Sequence, residues 1–344
     1  MKVSKPYIAS SCIILTALMV SGCGAPDLAA MKPHVTKSAG AVILVDNPNF
    51  VAPKDLQSNQ GKQLTSVETI QATTASFASN VTSALKNRHV SLCLIAADNA
   101  NPLTAEIQKL ASAHPNVHFE VVSNQTLTSL QSSEIGSIVQ DEDAVAFAIG
   151  SLAGTWATTE VQALQLTKQP IFGYVQGNVS KDAQKAFFAG LFTEDPNADI
   201  EPMTPLNGTT ANVTPIYPTV TAIAAAGQLN ASLLQTVQET APVIFDVDDA
   251  SDVPNAAVKP GHLGSSHLQN VLSEFATGQW QARAESVVDQ NSVLLDTGQL
   301  PSQVMSAWHT LQPSLAQAPA QWQAAFQNLP AATRQMLQTK FGIV

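Results

Sequence analysis

Short apolar segments alternate with amphipathic stretches along most of the chain. The apolar segments predict strands at residues 41–45, 90–97, 118–122, 144–149, 170–174, 220–224, 242–247 and 292–295. Apolar residues at helical spacing predict helices at residues 67–87, 102–113, 152–167, 181–193, 231–240 and 266–276. Strands that are apolar throughout and alternate with helices are typical of parallel sheets covered on both faces. The pattern therefore predicts an α/β fold.

The number of predicted strands bears on how many sheets there are. Eight strands spread over about 250 residues fit two doubly wound, Rossmann-like lobes better than a single sheet. The segment from residue 301 onward has a different character, because it is rich in Ala and Gln and its large apolar residues are widely spaced. We predict two or three short helices there, forming a C-terminal tail over residues 301–344.

The N-terminus has the pattern of an export signal. Lys2 and Lys5 precede an apolar run at residues 8–20, which is shorter than the roughly 20 residues of a membrane-spanning helix. The sequence Val-Ser-Gly-Cys that follows resembles the lipobox of bacterial lipoproteins, in which the cysteine accepts diacylglycerol. We expect removal of residues 1–22, lipidation of Cys23, and a tether over residues 23–39 at the outer face of the cell membrane. An ordinary signal peptide with a chance cysteine is the alternative.

Composition and charge limit the kinds of function that are possible for the chain. Hydrophobic residues make up 45% of the chain, which supports sizeable cores, whereas charged residues make up only 12%. The formal net charge of −10 disfavours contact with the phosphates of nucleic acids. Of the three cysteines, Cys12 leaves with the signal and Cys23 is lipidated, so Cys93 is expected to be a buried strand residue without a disulfide partner.

Catalytic motifs are scarce. The sequence contains no G-x-G-x-x-G, Walker or G-x-S-x-G pattern, and the S-x-x-K match at residues 83–86 lacks the partner motifs of penicillin-recognising enzymes. His114 and His118 are four residues apart, but Pro115 interrupts the helix that would align them on a metal. We therefore predict a protein that is not an enzyme and that has no cofactor or metal.

Acidic residues follow one predicted strand. Asp246, Asp248 and Asp249 end the segment PVIFDV, and solutes in doubly wound folds bind beyond the carboxyl ends of strands. A carboxylate there can accept two hydrogen bonds from a diol. A turn or helix-capping role is the alternative. The acidic run at residues 141–143 is interpreted as a solvated turn.

Several segments resemble one family in order and spacing. The stretch VAFAIGSLAGTWATTEVQALQLTKQPIFGYVQG resembles the central segment of the basic membrane protein (BMP) family of bacterial lipoproteins, the PnrA-like nucleoside-binding proteins. Phe147 matches its crossing strand, and residues 173–177 match its V-G-x-V-x-G. Downstream, TAIAAAGQLN resembles its A-A-G-G loop with Gly227 retained, and PVIFDVDD resembles its I-G-V-D-x-D-Q, which aligns Asp246 and Asp248 with two family aspartates. The resemblance covers residues 42–295.

The resemblance implies a type I periplasmic-binding fold, in which three crossing strands join two lobes around a ligand cleft. Lobe 1 would comprise residues 40–145 and about 250–290, and lobe 2 residues 146–249 and about 291–300. It implies the binding component of an ABC importer that captures a nucleoside-like small polar solute and docks on a permease. Med-like members of the same family suggest an alternative, a regulatory or structural surface lipoprotein that keeps the fold without transport.

The predicted ligand-binding residues lie at strand ends and at positions aligned with the family. They are Asp46, Asn47, Phe50, Asp98, Asn99, Phe147, Gly177, Gly227, Asp246, Asp248 and His262. Phe50 or Phe147 would stack on a base. Asp246 or Asp248 would bind a ribose diol, and His262 stands where the family has a lysine.

One family signature is missing. The N-terminal D-x-S-F-N pattern is not recognisable, and residues 46–50 read Asp-Asn-Pro-Asn-Phe after the first strand. Ala97, Asp98 and Asn99 replace the glycines at the end of the family's second loop. The resemblance therefore supports the scaffold more strongly than the nucleoside ligand, and Asn47, Asp98 and Asn99 are expected to read the polar edges of the solute.

Overall fold

The computed structural model describes part of the chain. The described residues are 38–46, 64–86, 89–127, 130, 135–164, 170–177, 179–203, 220–227, 242–248, 253 and 255–343, and the body from Ser38 onward forms one compact unit. The predicted signal, Cys23, Asn47, Phe50 and the predicted helix at residues 231–240 lie outside them.

The first lobe is built on six parallel strands. They are β1 (Ser38–Val45), β2 (Leu64–Ala72), β3 (Val90–Ala97), β4 (His118–Ser123), β5 (Ile135–Gln140) and β11 (Ala284–Val287). Their order in the sheet is β11-β5-β4-β3-β1-β2, and every neighbouring pair is parallel. Helices α1 (Phe77–Leu85) and α2 (Thr104–Ala113) cover one face, and α5 (Ser265–Thr277) covers the other.

Burial on both faces explains why the central strands are apolar at nearly every position. Ile43 and Ile95 belong to the core beneath α1 and α2. The neighbouring residues Leu44 and Leu94 belong to the core beneath α5. Successive side chains of a strand point to opposite faces, so a sheet covered on both faces needs a continuous apolar run rather than an alternating one.

The second lobe contains the other sheet. Its strands are β6 (Ile171–Val175), β7 (Asp199–Met203), β8 (Val220–Ala225), β9 (Val243–Asp246), β10 (Val258–Pro260) and β12 (Val293–Leu295). The order is β12-β10-β9-β8-β6-β7; β12 is antiparallel to β10, and the other pairs are parallel. Helices α3 (Glu142–Leu164) and α4 (Lys181–Glu194) contribute to its core around Trp156, Phe172 and Phe245. The prediction of two doubly wound lobes is confirmed.

The C-terminal tail forms three helices and belongs to lobe 2. They are α6 (Ser302–Gln317), α7 (Gln321–Asn328) and α8 (Ala331–Phe341). The ring of Phe341 lies 5.3 Å from that of Tyr174 and 5.0 Å from that of Phe188. Lys340 Nζ donates to the carbonyl oxygen of Ile200 at 3.0 Å. The tail therefore shares the core of the second lobe.

Two predicted elements are wrong. Residues 144–149 lie in helix α3 rather than in a strand, because a short apolar run has no period that distinguishes a buried strand from a buried helix. Residues 67–72 belong to the edge strand β2 rather than to a helix, and α1 begins only at Phe77. The half-exposed alternation in β2 is that of a strand with one face toward solvent.

Five strands have no counterpart in the prediction, namely β2, β5, β7, β10 and β11. They are short or carry polar and proline residues, such as Pro202 in β7 and Glu285 in β11. The boundaries between the lobes also differ from the predicted ones. Lobe 2 begins with α3 at Glu142, and β10 belongs to the sheet of lobe 2 rather than to lobe 1.

A buried carboxyl group lies in the core of lobe 1. Glu120 on β4 is 2% exposed, and its Oε2 accepts a hydrogen bond from Trp280 Nε1 at 2.8 Å. Burial raises the pKa of Glu120 from 4.5 to about 8, although the Trp280 hydrogen bond and the charge of Arg283 act in the opposite direction. The folded protein therefore holds this proton at neutral pH, whereas the unfolded chain releases it.

This proton linkage makes stability depend on pH. Below pH 4.5 the carboxyl group is protonated in the folded and the unfolded chain, so it does not lower the free energy of unfolding. As the pH rises from 4.5 to about 8, the unfolded chain loses the proton first, and the free energy of unfolding decreases. Glu120→Gln keeps an acceptor for Trp280 and removes the linkage. Chemical denaturation should show the variant more stable than wild type by a few kcal/mol at pH 8.5 and nearly equal at pH 4.5, because each pKa unit corresponds to about 1.4 kcal/mol. Glu68→Gln on the exposed side of β2 is the control, and an equal effect of Glu120→Gln at both pH values would contradict this origin.

Candidate functional site

Three short segments carry the chain between the lobes. Asp141 joins β5 to α3, residues 261–264 join β10 to α5, and residues 288–292 join β11 to β12. We call these segments the first, second and third crossings, in chain order.

Hydrogen bonds connect the three crossings pairwise. Asp141 N donates to the carbonyl oxygen of Val287, where the third crossing begins, at 3.0 Å. Gly261 N donates to the carbonyl oxygen of Ser292 at 2.9 Å. Gln140 Nε2, next to the first crossing, donates to the carbonyl oxygen of Gly261 at 3.0 Å. The two lobes are therefore joined through one hydrogen-bonded cluster rather than through three separate linkers.

The second and third crossings pass very close to each other. A Cβ atom on Gly261 would lie 1.9 Å from the carbonyl oxygen of Asn291, so only glycine allows this approach. Asp289 Oδ2 accepts from Gly264 N at 3.0 Å and lies 3.1 Å from His267 Nε2. Burial alone would raise the pKa of Asp289, but these contacts and a hydrogen bond from Asn291 N lower it. The carboxylate thus fixes the second crossing against the third.

A side-chain network fixes the second crossing to the strand ends of lobe 1. Asn124, just after β4, accepts from Leu263 N through Oδ1 at 2.7 Å. Its Nδ2 donates to Asp98 Oδ1 at 2.7 Å and lies 2.9 Å from His262 Nδ1. Asp98 and His262, both predicted as ligand residues, are therefore brought together by Asn124.

A cleft of about 260 Å³ lies beside the crossings. Its described lining comes from both lobes and consists of Asn124, Gln125, Gln140, Glu142, Val145, Val179, Ser180, Ala183, Val247, Asp248 and Pro260. These residues lie at the carboxyl ends of β4, β5, β9 and β10 and at the beginnings of α3 and α4. The cleft thus occupies the place where doubly wound folds bind solutes.

The polar lining of the cleft includes two acidic residues beside its amides and one hydroxyl group. Glu142 and Asp248 contribute carboxylates, and the described lining contains no Lys or Arg. Asp143 lies nearby, where burial first, and then the charges of Asp141 and Asp182, raise its pKa to about 6. A carboxylate only accepts hydrogen bonds, so the side chains of Glu142 and Asp248 can bond only to donor groups.

The two aspartates predicted on the strand PVIFDV have different positions. Asp248 lines the cleft. Asp246 is 2% exposed, and its Oδ1 accepts from Asp248 N at 3.2 Å. This contact is a local turn hydrogen bond, which corresponds to the structural alternative stated for these acids.

Two other predicted residues make hydrogen bonds with loops of lobe 1. Asp46 has a φ of 56°, and its carboxylate accepts from Thr74 N at 3.0 Å. Asn99 Oδ1 accepts from Asn101 N at 2.9 Å. Neither residue is among the described lining of the cleft.

Phe147, Gly177 and Gly227 contribute to packing. Phe147 lies on helix α3 rather than on a crossing strand. It is 6% exposed and packs in the core of lobe 2. A Cβ atom on Gly177 would lie 2.1 Å from Gly227 Cα. These glycines therefore let the loops after β6 and β8 approach each other.

Several residues of the cleft were missed by sequence reasoning, among them Gln140, Asn124, Glu142 and Ser180. Gln140 is a polar residue at the end of the segment IGSIVQ. A polar residue at a strand end is the sequence feature that could have indicated a place in the cleft. Glu142 lies in the acidic run interpreted as a solvated turn, yet its Oε1 accepts from Thr126 N at 2.9 Å. Ser180 caps α4 by accepting from Ala183 N.

The described residues include no helix long and apolar enough to cross a membrane. They also include no group of three His, Cys, Asp or Glu side chains that could hold a metal ion.

Comparisons with known proteins identify the fold. No family model matches the sequence, and no curated protein does. Among solved structures, an ABC transporter solute-binding protein from Conexibacter woesei is similar, with a TM-score of 0.54 and 15% identity over 82% of this chain and 97% of that one. A transcriptional activator of the comK gene from Bacillus halodurans has a TM-score of 0.53 and 12% identity over 82% of this chain and 99% of that one. The predicted type I periplasmic-binding fold is confirmed; membership of the BMP family stays a prediction.

The tight contact at Gly261 yields a testable consequence. Gly261→Ala places a methyl group against the backbone of Asn291, so the two crossings must separate. We expect a loss of about 1–3 kcal/mol in the free energy of unfolding, as for other overpacked sites, measured by chemical denaturation. Gly298→Ala is the control, because Gly298 is exposed and faces only the Asp296 side chain. Equal stability of the two variants would show that the close approach is unimportant.

Proposed function

We propose that this chain is the lipid-anchored solute-binding component of an ABC importer and that it binds a small nucleoside-like polar solute in the interlobe cleft. The observation that carries the proposal is a cleft lined by both lobes, which three short, mutually hydrogen-bonded crossings connect among the described residues. A solute that contacts both lobes favours their closure around such a hinge. The closed form is then what a permease recognises.

The size and charge of the cleft define the solute class. Its volume of about 260 Å³ is slightly below the roughly 300–1,000 Å³ typical of small-molecule pockets, which indicates a small solute. Acceptors such as Asp248 suit the hydroxyl groups of a ribose or another sugar. The resemblance to nucleoside-binding lipoproteins favours a base attached to that sugar, and Phe50 is the residue proposed to stack on it.

The place of action follows from the N-terminal segment and the fold. The lipobox around Cys23 would anchor the protein to the outer face of the cell membrane. The solved solute-binding protein from Conexibacter woesei, similar in fold, is described as part of an ABC transporter, and this supports a permease partner. The absence of catalytic motifs in the sequence supports binding rather than catalysis.

A thermal-shift assay of the full-length protein in detergent tests the proposal. The panel contains adenosine, uridine, D-ribose and D-glucose, with adenosine 5′-monophosphate as the anionic comparison. At 100 times its Kd, a bound solute stabilises the protein by about 2.7 kcal/mol, so a nucleoside should raise the Tm and the monophosphate should not. A Tm raised only by free sugars would replace the nucleoside with a saccharide. No shift with any nucleoside or sugar would contradict solute binding.

The carboxylate of Asp248 provides the matched variant. Asp248→Asn should weaken binding of the stabilising solute by about tenfold or more, because a hydrogen bond to a charged group contributes roughly 1.5–3 kcal/mol. Asp199→Asn, at an exposed position on β7, should leave binding unchanged.

A regulatory role is the second candidate. It is favoured by the similarity in fold to a transcriptional activator of the comK gene from Bacillus halodurans, and by the missing N-terminal signature of the nucleoside-binding proteins. Under this alternative the protein keeps the lobes and the anchor but binds none of the solutes in the panel.

A further inference from the structure

The side-chain amide of Gln140 has one atom that makes a hydrogen bond and one that has no partner among the described residues. It ends β5, is 2% exposed, and lines the cleft. Its Nε2 donates to the carbonyl oxygen of Gly261 at 3.0 Å, and this bond fixes which way the amide is turned. Its Oε1 is buried and has no hydrogen-bond partner among the described residues. A buried acceptor without a partner is rare in native proteins and calls for an explanation.

The other buried amide in the cleft differs from Gln140. Asn124 uses its oxygen to accept from Leu263 N and its nitrogen to contact Asp98 and His262, so its side chain is committed to the protein. Other orphaned polar atoms of the described residues lie away from the cleft; they belong to Ser91, Ser151, Tyr174 and Asp195. Gln140 therefore combines an open buried acceptor with a place in the wall of the cleft.

We infer that Gln140 is a ligand-contacting residue whose Oε1 accepts a hydrogen bond from a hydroxyl or amino group of the bound solute. The inference rests on the proposed function and deepens it by naming a contact and a ligand class. Because Glu142 and Asp248 place two carboxylates in the lining of the cleft, the solute is a neutral or cationic molecule with hydrogen-bond donors. A phosphorylated or carboxylated solute would meet the like charges of Glu142 and Asp248 there.

Gln140 also connects the solute to the hinge. The same amide group contacts the second crossing through Nε2, while its Oε1 is buried without a partner among the described residues and the residue lines the cleft. A solute bound to Oε1 therefore contacts the residue that joins the first and second crossings.

Two variants of Gln140 separate a ligand contact from a purely structural role. Gln140→Met removes both the donor and the acceptor while keeping the size of the side chain. Gln140→Glu keeps an acceptor oxygen whether the carboxyl is ionised or protonated. Gln184→Met is the matched control, since Gln184 is a buried glutamine whose Nε2 donates to the carbonyl oxygen of Val179 at 3.0 Å and which is not among the described lining of the cleft.

Calorimetric titration of full-length wild type and variants in detergent, with adenosine and D-ribose as probes, tests the inference. Gln140→Met should weaken binding of the probe that wild type binds by about tenfold or more, whereas Gln140→Glu should retain more affinity than Gln140→Met, and Gln184→Met should bind within about twofold of wild type. Adenosine 5′-monophosphate should bind wild type at least about tenfold more weakly than adenosine, because the carboxylates of the cleft repel it.

The outcomes distinguish this inference from the proposed function. If wild type binds a probe and Gln140→Met binds it equally well, Gln140 is not a ligand contact and only the inference is overturned. If Gln140→Glu and Gln140→Met lose affinity to the same extent, the amide acts through Gly261 alone, which also overturns it. If wild type binds neither probe, the proposed solute class fails and the inference fails with it.

Discussion

The hydrogen bonds among the three crossings are the constraint on which the rest of the structure depends. Two separate sheets have no strand in common, so their relative position is set where the chain passes between them. Bonds from Asp141, Gly261 and Gln140 connect each pair of crossings, and the glycine at 261 allows the closest of these approaches. Under the proposed function, these crossings form the hinge about which the two lobes close.

This constraint also explains how polar groups are distributed around the cleft. The side chains nearest the crossings, Asn124 and Asp289, are used to hold the second crossing in place. Asp248 and Gln140 also line the cleft, and the Oε1 of Gln140 has no hydrogen-bond partner among the described residues. The polar residues around the cleft therefore include some that hold the crossings in place, such as Asp289, and some that line the cleft, such as Asp248.

Much of the fold could be predicted from the sequence, but less of the site. Strands such as β1 and β3 are apolar on both faces and are recognisable for that reason, whereas β2 and β11 lie at sheet edges and carry charged residues. Phe147 was placed wrongly because its apolar run fits a strand and a helix equally. Asp248 could be found as an acid at a strand end. Gln140 could not be assigned a role, because its partner Gly261 is 121 residues away.

The central claim is that two lobes close on a small solute about the crossings, and small-angle X-ray scattering tests it most directly. The radius of gyration of the full-length protein in a contrast-matched detergent would be measured without solute, with adenosine and with D-ribose, each at saturating concentration. A smaller radius of gyration with the solute that raises the Tm is expected, because closure brings the lobes together. An unchanged radius with a solute that demonstrably binds would contradict closure of the cleft.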